Sequence, residues 1–262
     1  MDVSNATVWI TGASSGIGEA LAYDLSRRGA RLVLSARREE VLHAVRDRCA
    51  RPDDHLVQPL DLADADSLHA AANRVLDRCA AVDVLVNNGG ISQRSLARET
   101  DLSVVRRIME VNFFGTVTLT KAVLPSMLAR QSGHLVVVSS VVGKFGTPMR
   151  SAYAASKHAL HGYFDSLRAE VHDDGVRVTL VCPGFVATSV GDHALTSDGT
   201  PLGEVKDVKP TGIPSAECAE AIARSIEREQ DEVYVGGWEV AGVYVKRLSP
   251  ALFNRLIRNF SH

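Results

Sequence analysis

Tyr153 and Lys157 stand four residues apart, about one helical turn, so on a helix both side chains leave the same face. The segment Ser151-Ala-Tyr-Ala-Ala-Ser-Lys-His-Ala-Leu160 is Ala-rich and free of Gly and Pro, which predicts a helix there. A phenol beside an ammonium is an acid–base pair, because the positive charge favours the phenolate and draws the Tyr pKa down from about 10. Standing alone, the same two residues would read as a half-buried Tyr and a solvated Lys. A second constellation changes that reading. Thr11-Gly-Ala-Ser-Ser-Gly-Ile-Gly18 spaces its glycines as G-x-x-x-G-x-G. Glycines at 12, 16 and 18 permit a tight turn and close approach of backbone to a pyrophosphate. The N–H groups at the start of the following helix would meet the phosphates.

These residues need a frame, and the chain supplies one. Short β-branched runs alternate with helical patterns. Strands are predicted at Thr7–Thr11, Arg31–Ser35, Leu56–Leu60, Val82–Val86, Leu135–Val138, Val176–Val181 and Glu232–Val235. Helices are predicted between them: one carries Ile17, Leu21 and Leu25 every fourth residue, and others cover 39–49, 68–79, roughly 101–130, from Tyr153 to about His172, and 215–229. Such alternation predicts an α/β fold in which one parallel sheet is covered by helices on both faces. The 262 residues show no linker, repeat or low-complexity segment, so a single domain is expected over 1–262. The one long irregular stretch, 188–214, has the composition of a lid over a substrate or of a plain surface loop.

Composition narrows the function. The net charge of −2 gives no reason to expect nucleic acid as a partner. The start Met1-Asp-Val-Ser-Asn-Ala-Thr7 lacks a basic region before an apolar run, and no run of about 18 apolar residues follows, so neither a signal peptide nor a spanning helix is expected. The four cysteines, at 49, 79, 182 and 218, form no CxxC pair and have no His at ligand spacing; they read as core residues of a reducing compartment. His158 and His161 lie three apart without a nearby Cys or carboxylate, and no metal site is expected.

The end of the second predicted strand bears on the kind of dinucleotide. A carboxylate there would accept hydrogen bonds from a free ribose 2′-hydroxyl. The chain has Ser35-Ala-Arg-Arg38 instead. Nothing repels a 2′-phosphate, and Arg37 or Arg38 offers it a bidentate partner, so NADP(H) is favoured over NAD(H).

From about residue 5 to 237 these features together resemble the short-chain dehydrogenase/reductase family, NADP type. The Gly12–Gly18 turn, with Ser14, Ser15 and Ile17, looks like the family's cofactor loop. Asp61, with Leu62 beside it, matches the residue that meets the adenine at the end of strand three. Asn87-Asn-Gly-Gly90 is similar to the family's N-N-A-G, with Gly89 in place of Ala and Asn88 among the cofactor contacts. Pro183-Gly184 and Thr188, with Val186 between, match P-G-x-x-x-T beside the nicotinamide. Asn112, Ser140, Tyr153 and Lys157 align with the catalytic tetrad; Ser140 rather than Ser139 stands the family's thirteen residues before the Tyr. Within the family, Ser151–Ala159 and Ala122-Val-Leu-Pro-Ser-Met127 look most like the dehydrogenase/reductase 7 type and the 11β-hydroxysteroid dehydrogenases. Those relatives carry an N-terminal membrane anchor, and none is expected here.

The resemblance implies a Rossmann-type doubly wound sheet of about seven strands. It implies an NADP-dependent oxidoreductase acting on CH–OH groups, moving a hydride between nicotinamide and a carbonyl or secondary alcohol. Tyr153 would be the acid–base residue and Ser140 would hold the substrate oxygen. Lys157 would lower the Tyr pKa and hold the nicotinamide ribose, while Asn112 would hold a relay water. Asn112 also sits mid-helix, where it reads as a local kink. An apolar carbonyl or alcohol substrate, a homodimer or homotetramer and a cytoplasmic location are the accompanying expectations. The rival readings are a non-catalytic NADP-binding sensor or scaffold, and an epimerase or dehydratase on the same fold. Arg94 and Arg150 fall near the expected cleft, as solvated rim residues or as partners of an acidic substrate. The C-terminal extension 240–262 is amphipathic after Pro250, with Leu252, Phe253, Leu256 and Ile257 in a stripe beside Arg255 and Arg258. Packing within the protein is favoured for it over peripheral membrane contact.

Overall fold

Each β-branched run becomes a strand in the computed structural model of the chain, which describes residues 1–188, 190–203 and 212–258. The first half runs β1 (Thr7–Thr11), α1 (Gly16–Arg27), β2 (Arg31–Ser35), α2 (Glu39–Asp47), β3 (Leu56–Val57), α3 (Ala65–Arg78), β4 (Val84–Asn87), α4 (Leu102–Met109) and α5 (Gly115–Arg130). The second half runs β5 (Gly133–Val138), α6 (Ser151–Glu170), β6 (Val176–Pro183), β7 (Val186–Ala187), β8 (Ile213–Pro214), α7 (Ser215–Glu227), β9 (Glu232–Val235), α8 (Ala241–Leu248) and α9 (Pro250–Ile257). Seven strands pair in parallel in the order β3-β2-β1-β4-β5-β6-β9. This is the doubly wound sheet the sequence predicts. Chain direction across the sheet reverses between β1 and β4, and a crevice opens beyond the carboxyl ends of strands at such a reversal.

Alternation along the strands sorts the core into two layers. Val8, Ile10, Leu32, Leu34, Val84 and Val86 face α1, α2 and α7, where they meet Leu21, Leu25, Leu42 and Ile222. Trp9, Val33, Leu85, Leu135 and Val137 face α3, α5 and α6, where they meet Leu68, Val75, Leu119, Val123 and Phe164. With both faces covered, the strands are apolar almost throughout.

Four expectations need correction. The third strand stops at Val57 rather than Leu60; Pro59 has no N–H to give the ladder, although Leu60 N still reaches Ala36 O at 3.1 Å. Asp61 therefore lies past the strand, in the turn before α3. The helical pattern of 101–130 is not one uniform helix: a π turn, Glu110–Phe114, joins α4 to α5. Such turns accommodate one extra residue, and here the buried Asn112 is drawn sideways by hydrogen bonds to Ile91. The stretch 188–214 is not wholly irregular. Residues 190–203 form a strap in which Leu195 bridges Gln93 on one side and Pro201 on the other, and β8 pairs with β7; residues 189 and 204–211 lie outside the described residues. The C-terminal stripe splits, because 252/256 and 253/257 are two rows about 100° apart around a helix. Phe253 is buried against Phe145, ring centroids 4.9 Å apart, with Ile257 beside it. Leu252 and Leu256 face outward, as does Leu248 of α8. Among the described residues no helix is long and apolar enough to cross a membrane.

Candidate active site

A cleft of about 840 Å³ opens at the strand reversal. Its first wall is the turn from β1 to α1. Gly12 and Gly16 hold φ of +65° and +59°, which L side chains rarely adopt. Gly18 lies behind the turn rather than on the cleft; a Cβ there would sit 2.3 Å from Gly12 O and 2.6 Å from Asn88 Nδ2. The N-cap of α1, Ser15, makes no side-chain cap, so the first amides of the helix are presented to the cleft without one. The turn is locked from the β4 side. Thr11 Oγ1 accepts from Asn88 N and Gly89 N, each at 3.0 Å, and Asn88 Nδ2 donates to Thr11 O at 2.9 Å. Asn88 thus clamps the loop. Gly89, the departure from the family's Ala, also has its reason: a Cβ there would lie 2.6 Å from Leu62 Cδ1, so Leu62 fills the space that the Ala would take. Leu62 and Asp61 both line the cleft. These features fit a dinucleotide: a glycine cradle that a Cβ would fill, over a helix N-terminus.

Arg37 and Arg38 line the far end of the same wall, exposed. Neither makes an ion pair among the described residues, which leaves two guanidinium groups at the place a 2′-phosphate would take. Ser35 below them is buried and ties β1 and β2 to the segment just past β3, accepting from Trp9 Nε1 at 2.8 Å and donating to Gln58 O at 2.5 Å.

The floor carries three of the four predicted tetrad residues. Tyr153 and Lys157 project from α6 and Ser140 from the end of β5, and all three line the cleft with Pro183, Gly184, Val186 and Thr188. Lys157 is 4% exposed and its Nζ donates to Val138 O at 2.8 Å, lying 5.7 Å from the Tyr153 ring centroid. Burial lowers the Lys157 pKa to about 8. The Tyr153 phenol moves the opposite way from the sequence expectation. Burial raises its pKa; the opposing influences come from the Arg150 charge and a hydrogen bond with Ser140, not from Lys157. The pair as it stands is a protonated phenol next to an amine that loses its charge easily. Ser140 Oγ also donates to Pro183 O at 3.2 Å and accepts from Val142 N at 3.3 Å. Asn112 does not line the cleft. Its Oδ1 accepts from Ile91 N at 2.8 Å, and its Nδ2 donates to Ile91 O at 2.9 Å and Ser156 Oγ at 3.0 Å. Its side chain is occupied in fixing the β4–α4 loop to α6.

The opposite wall was not legible as a motif. It comprises Ser103, Val104 and Arg107 of α4 and His193, Leu195, Asp198 and Pro201 of the strap. Asp198 closes the strap's own turn by accepting from Thr196 Oγ1 at 2.7 Å and Thr200 N at 3.0 Å, and those bonds hold its pKa down at about 2. Glu239 was missed as well: its buried Oε1 accepts from Phe185 N at 2.8 Å and Gly237 N at 3.0 Å, fixing the Pro183–Gly184 turn. Arg94 and Arg150 do not line the cleft; Arg150 is half-buried rather than a solvated rim residue, and burial lowers its pKa.

Folding also gathers three potential ligands that sequence spacing keeps apart. His161 Nε2 lies 3.7 Å from Cys182 Sγ, and His161 Nδ1 lies 3.7 Å from Glu232 Oε2. The imidazole stands between thiol and carboxylate, so no single ring nitrogen faces both, and Lys144 Nζ already donates to Glu232 Oε2 at 2.6 Å. Burial holds the His161 pKa near 4 and pushes the Cys182 thiol up to about 12.

Comparison with known proteins agrees with this geometry. A sequence model described as short chain dehydrogenase matches residues 6–198. The chain is 43% identical over 258 residues to a dehydrogenase/reductase SDR family protein 7-like of Anopheles gambiae, covering 96% of this chain and 81% of that protein. It is 42% identical over 240 residues to dehydrogenase/reductase SDR family member 7 of Homo sapiens, covering 89% and 71%. A short chain dehydrogenase from Burkholderia cenocepacia, solved in complex with NADP, superposes with a TM-score of 0.82 at 27% identity, covering 98% of this chain and 99% of that one.

Proposed function

This chain belongs to the short-chain dehydrogenase family, and on that premise we propose that it is an NADP(H)-dependent carbonyl reductase or alcohol dehydrogenase with Tyr153 as its acid–base residue. Membership itself makes it an oxidoreductase that uses a nicotinamide cofactor on a small-molecule substrate. The observation that carries the finer reading is the convergence of Tyr153, Lys157 and Ser140 on one cleft floor, opposite the glycine turn.

When bound, the reduced nicotinamide supplies a hydride to the carbonyl carbon. Tyr153 gives its phenolic proton to the carbonyl oxygen as the C–O double bond opens, and the product is the alcohol; oxidation runs the same transfers in reverse. Burial suits Tyr153 to the reductive direction, since it keeps the phenol protonated until a substrate oxygen arrives. Ser140 holds that oxygen and stabilises its developing charge. Lys157, already close to neutral at mildly alkaline pH, takes on charge beside an anionic ligand and then eases the return of a proton to Tyr153. Arg37 and Arg38 hold the 2′-phosphate; the two guanidinium groups exposed on the cleft support that choice. Val104, Val190, Leu195 and Pro201 give the otherwise mixed wall, with Ser103, Arg107, His193 and Asp198, an apolar part that suits a substrate with an apolar body.

The test is a fluorescence titration of NADPH against NADH, repeated on Arg37→Ala/Arg38→Ala, followed by a carbonyl screen with the better cofactor. NADPH binding that is tighter by about tenfold or more, and loses that margin in the double variant, supports the assignment. Equal binding of both cofactors by the unaltered protein overturns the NADP reading.

A further inference from the structure

Gln93 is fully buried and lies outside the tetrad and the cofactor turn. The residues on either side of it hold the strap: Leu195 N donates to Ser92 O and Arg94 N donates to Leu195 O, each at 2.9 Å. Its side chain reaches the other way. Oε1 accepts from Ala152 N at 2.8 Å, one residue before Tyr153 in the first turn of α6. Nε2 donates to Thr100 Oγ1 at 2.9 Å and Ser95 Oγ at 3.1 Å. A backbone N–H can only donate, so the oxygen must face Ala152 and the nitrogen the hydroxyls; the amide orientation follows from chemistry. Ala152 N is one of the first-turn amides that a helix cannot satisfy itself, and Arg150 at the N-cap provides no side-chain acceptor. Gln93 therefore caps α6 from outside the helix while the backbone on either side of it, at Ser92 and Arg94, carries the strap.

We propose that Gln93 is a positioning residue that keeps the substrate wall and the proton donor in register. The inference rests on the reading of Tyr153 as that donor. Leu195 lines the cleft and packs with Val104, Ile108 and Ala152, so strap, α4 and α6 already touch through apolar atoms. Apolar contact permits sliding; the Gln93 amide removes that freedom because its two ends demand different partners at fixed places. A substrate resting on Leu195 then presents its oxygen to Tyr153 at one separation, and misplacement of about 1 Å at this stage costs about 100-fold in rate. The cofactor turn is locked by Thr11 and Asn88, and the Gln93 side chain hydrogen-bonds instead to Ala152, Ser95 and Thr100. Loss of the amide should thus slow turnover and leave cofactor affinity alone.

The experiment compares the full chain with Gln93→Leu, Gln93→Glu and Thr100→Val, by NADPH fluorescence titration, hydrogen exchange and turnover of an aromatic ketone that the unaltered protein reduces. In Gln93→Leu, exchange at 194–202 and in the first turn of α6 accelerates together, kcat falls about 10- to 100-fold, and the NADPH Kd stays within about twofold. Gln93→Glu keeps an acceptor for Ala152 N, so it restores α6 protection and part of kcat. Thr100→Val, remote from α6, gives a smaller change of the same kind and stands in if Gln93→Leu does not fold. Unchanged exchange at the strap or at α6, or an NADPH Kd that weakens in step with kcat, overturns the proposal. If the unaltered protein turns over no ketone, the exchange data still decide the role of Gln93, and the failure falls on the Tyr153 reading.

Discussion

The Gly12–Gly18 turn and the 190–203 strap face each other across one cleft, yet they are held by different means. On the cofactor side, backbone shape dominates: positive φ at Gly12 and Gly16, no room for a Cβ at Gly18, and a clamp between Thr11 at the end of β1 and Asn88 just past β4. On the substrate side Gly199 and Gly203 also hold positive φ, +90° and +82°, but no backbone atom crowds either, and the hold is indirect, through two bridges at Leu195, the Asp198 turn and the Gln93 amide. A ligand that must be met by main-chain atoms dictates residue types at fixed spacing. One met by side chains on a strap does not, and such a wall is free to differ between proteins that share the other.

The comparison can be broken at the floor, which both walls share. Replacing Tyr153 with Phe should cost about 10³-fold in kcat and leave NADPH affinity within about threefold; an equal loss of cofactor binding would mean that the two sides are not separable. Next in size is Gly18→Ala. Its Cβ would sit 2.3 Å from Gly12 O, and overpacking of this kind costs about 1–3 kcal/mol, read as a lower Tm with weakened NADPH binding. Removing Arg37 and Arg38 should erase about tenfold or more of NADPH affinity and spare NADH.

A smaller effect tests the electrostatics of the floor. Lys157 carries its charge below about pH 8 and loses it above. An anionic cofactor favours the charged form, so binding near pH 8 to 9 should take up a proton, seen as buffer-dependent binding enthalpy in calorimetry. Affinity should fall above pH 8 by at most about tenfold per pH unit; proton release instead would reverse the sign argued here. The smallest effect is expected on the strap. A Cβ at Gly191 meets nothing within 4 Å, so Gly191→Ala should shift stability by less than about 0.5 kcal/mol. A drop like that of Gly18→Ala would erase the contrast between the walls.

That contrast also explains what could be read from residues alone. Parallel strands buried on both faces print themselves as β-branched runs, and the glycine turn prints itself as spacing, so sheet and turn were visible, and of the four tetrad positions read by resemblance Ser140, Tyr153 and Lys157 meet at the cleft while Asn112 does not. Gln93 was not, because its partners at 152 and 195 are 59 and 102 positions away and no local pattern marks a buried amide. Glu239 escaped for the same reason. The direction of the Tyr153 shift was misjudged because four residues of spacing report proximity, while burial depends on everything packed around the pair. The outward row of α9 was likewise invisible: a stripe in the sequence does not say which of its two rows finds a partner.

The π turn at Glu110–Phe114 works as a phase shifter. An α-helix advances about 100° per residue, so the extra residue rotates α5 against α4. Upstream, Val104 and Ile108 address the strap and α6; downstream, Leu119, Val123 and Met127 address the sheet. A straight helix through the same residues would serve one of these directions and leave the other out of step. Deleting a single residue within 110–114 would behave like a frameshift written into the fold: the hydrogen bonds would become more regular, while each core position from Leu119 onward would turn toward the wrong neighbour.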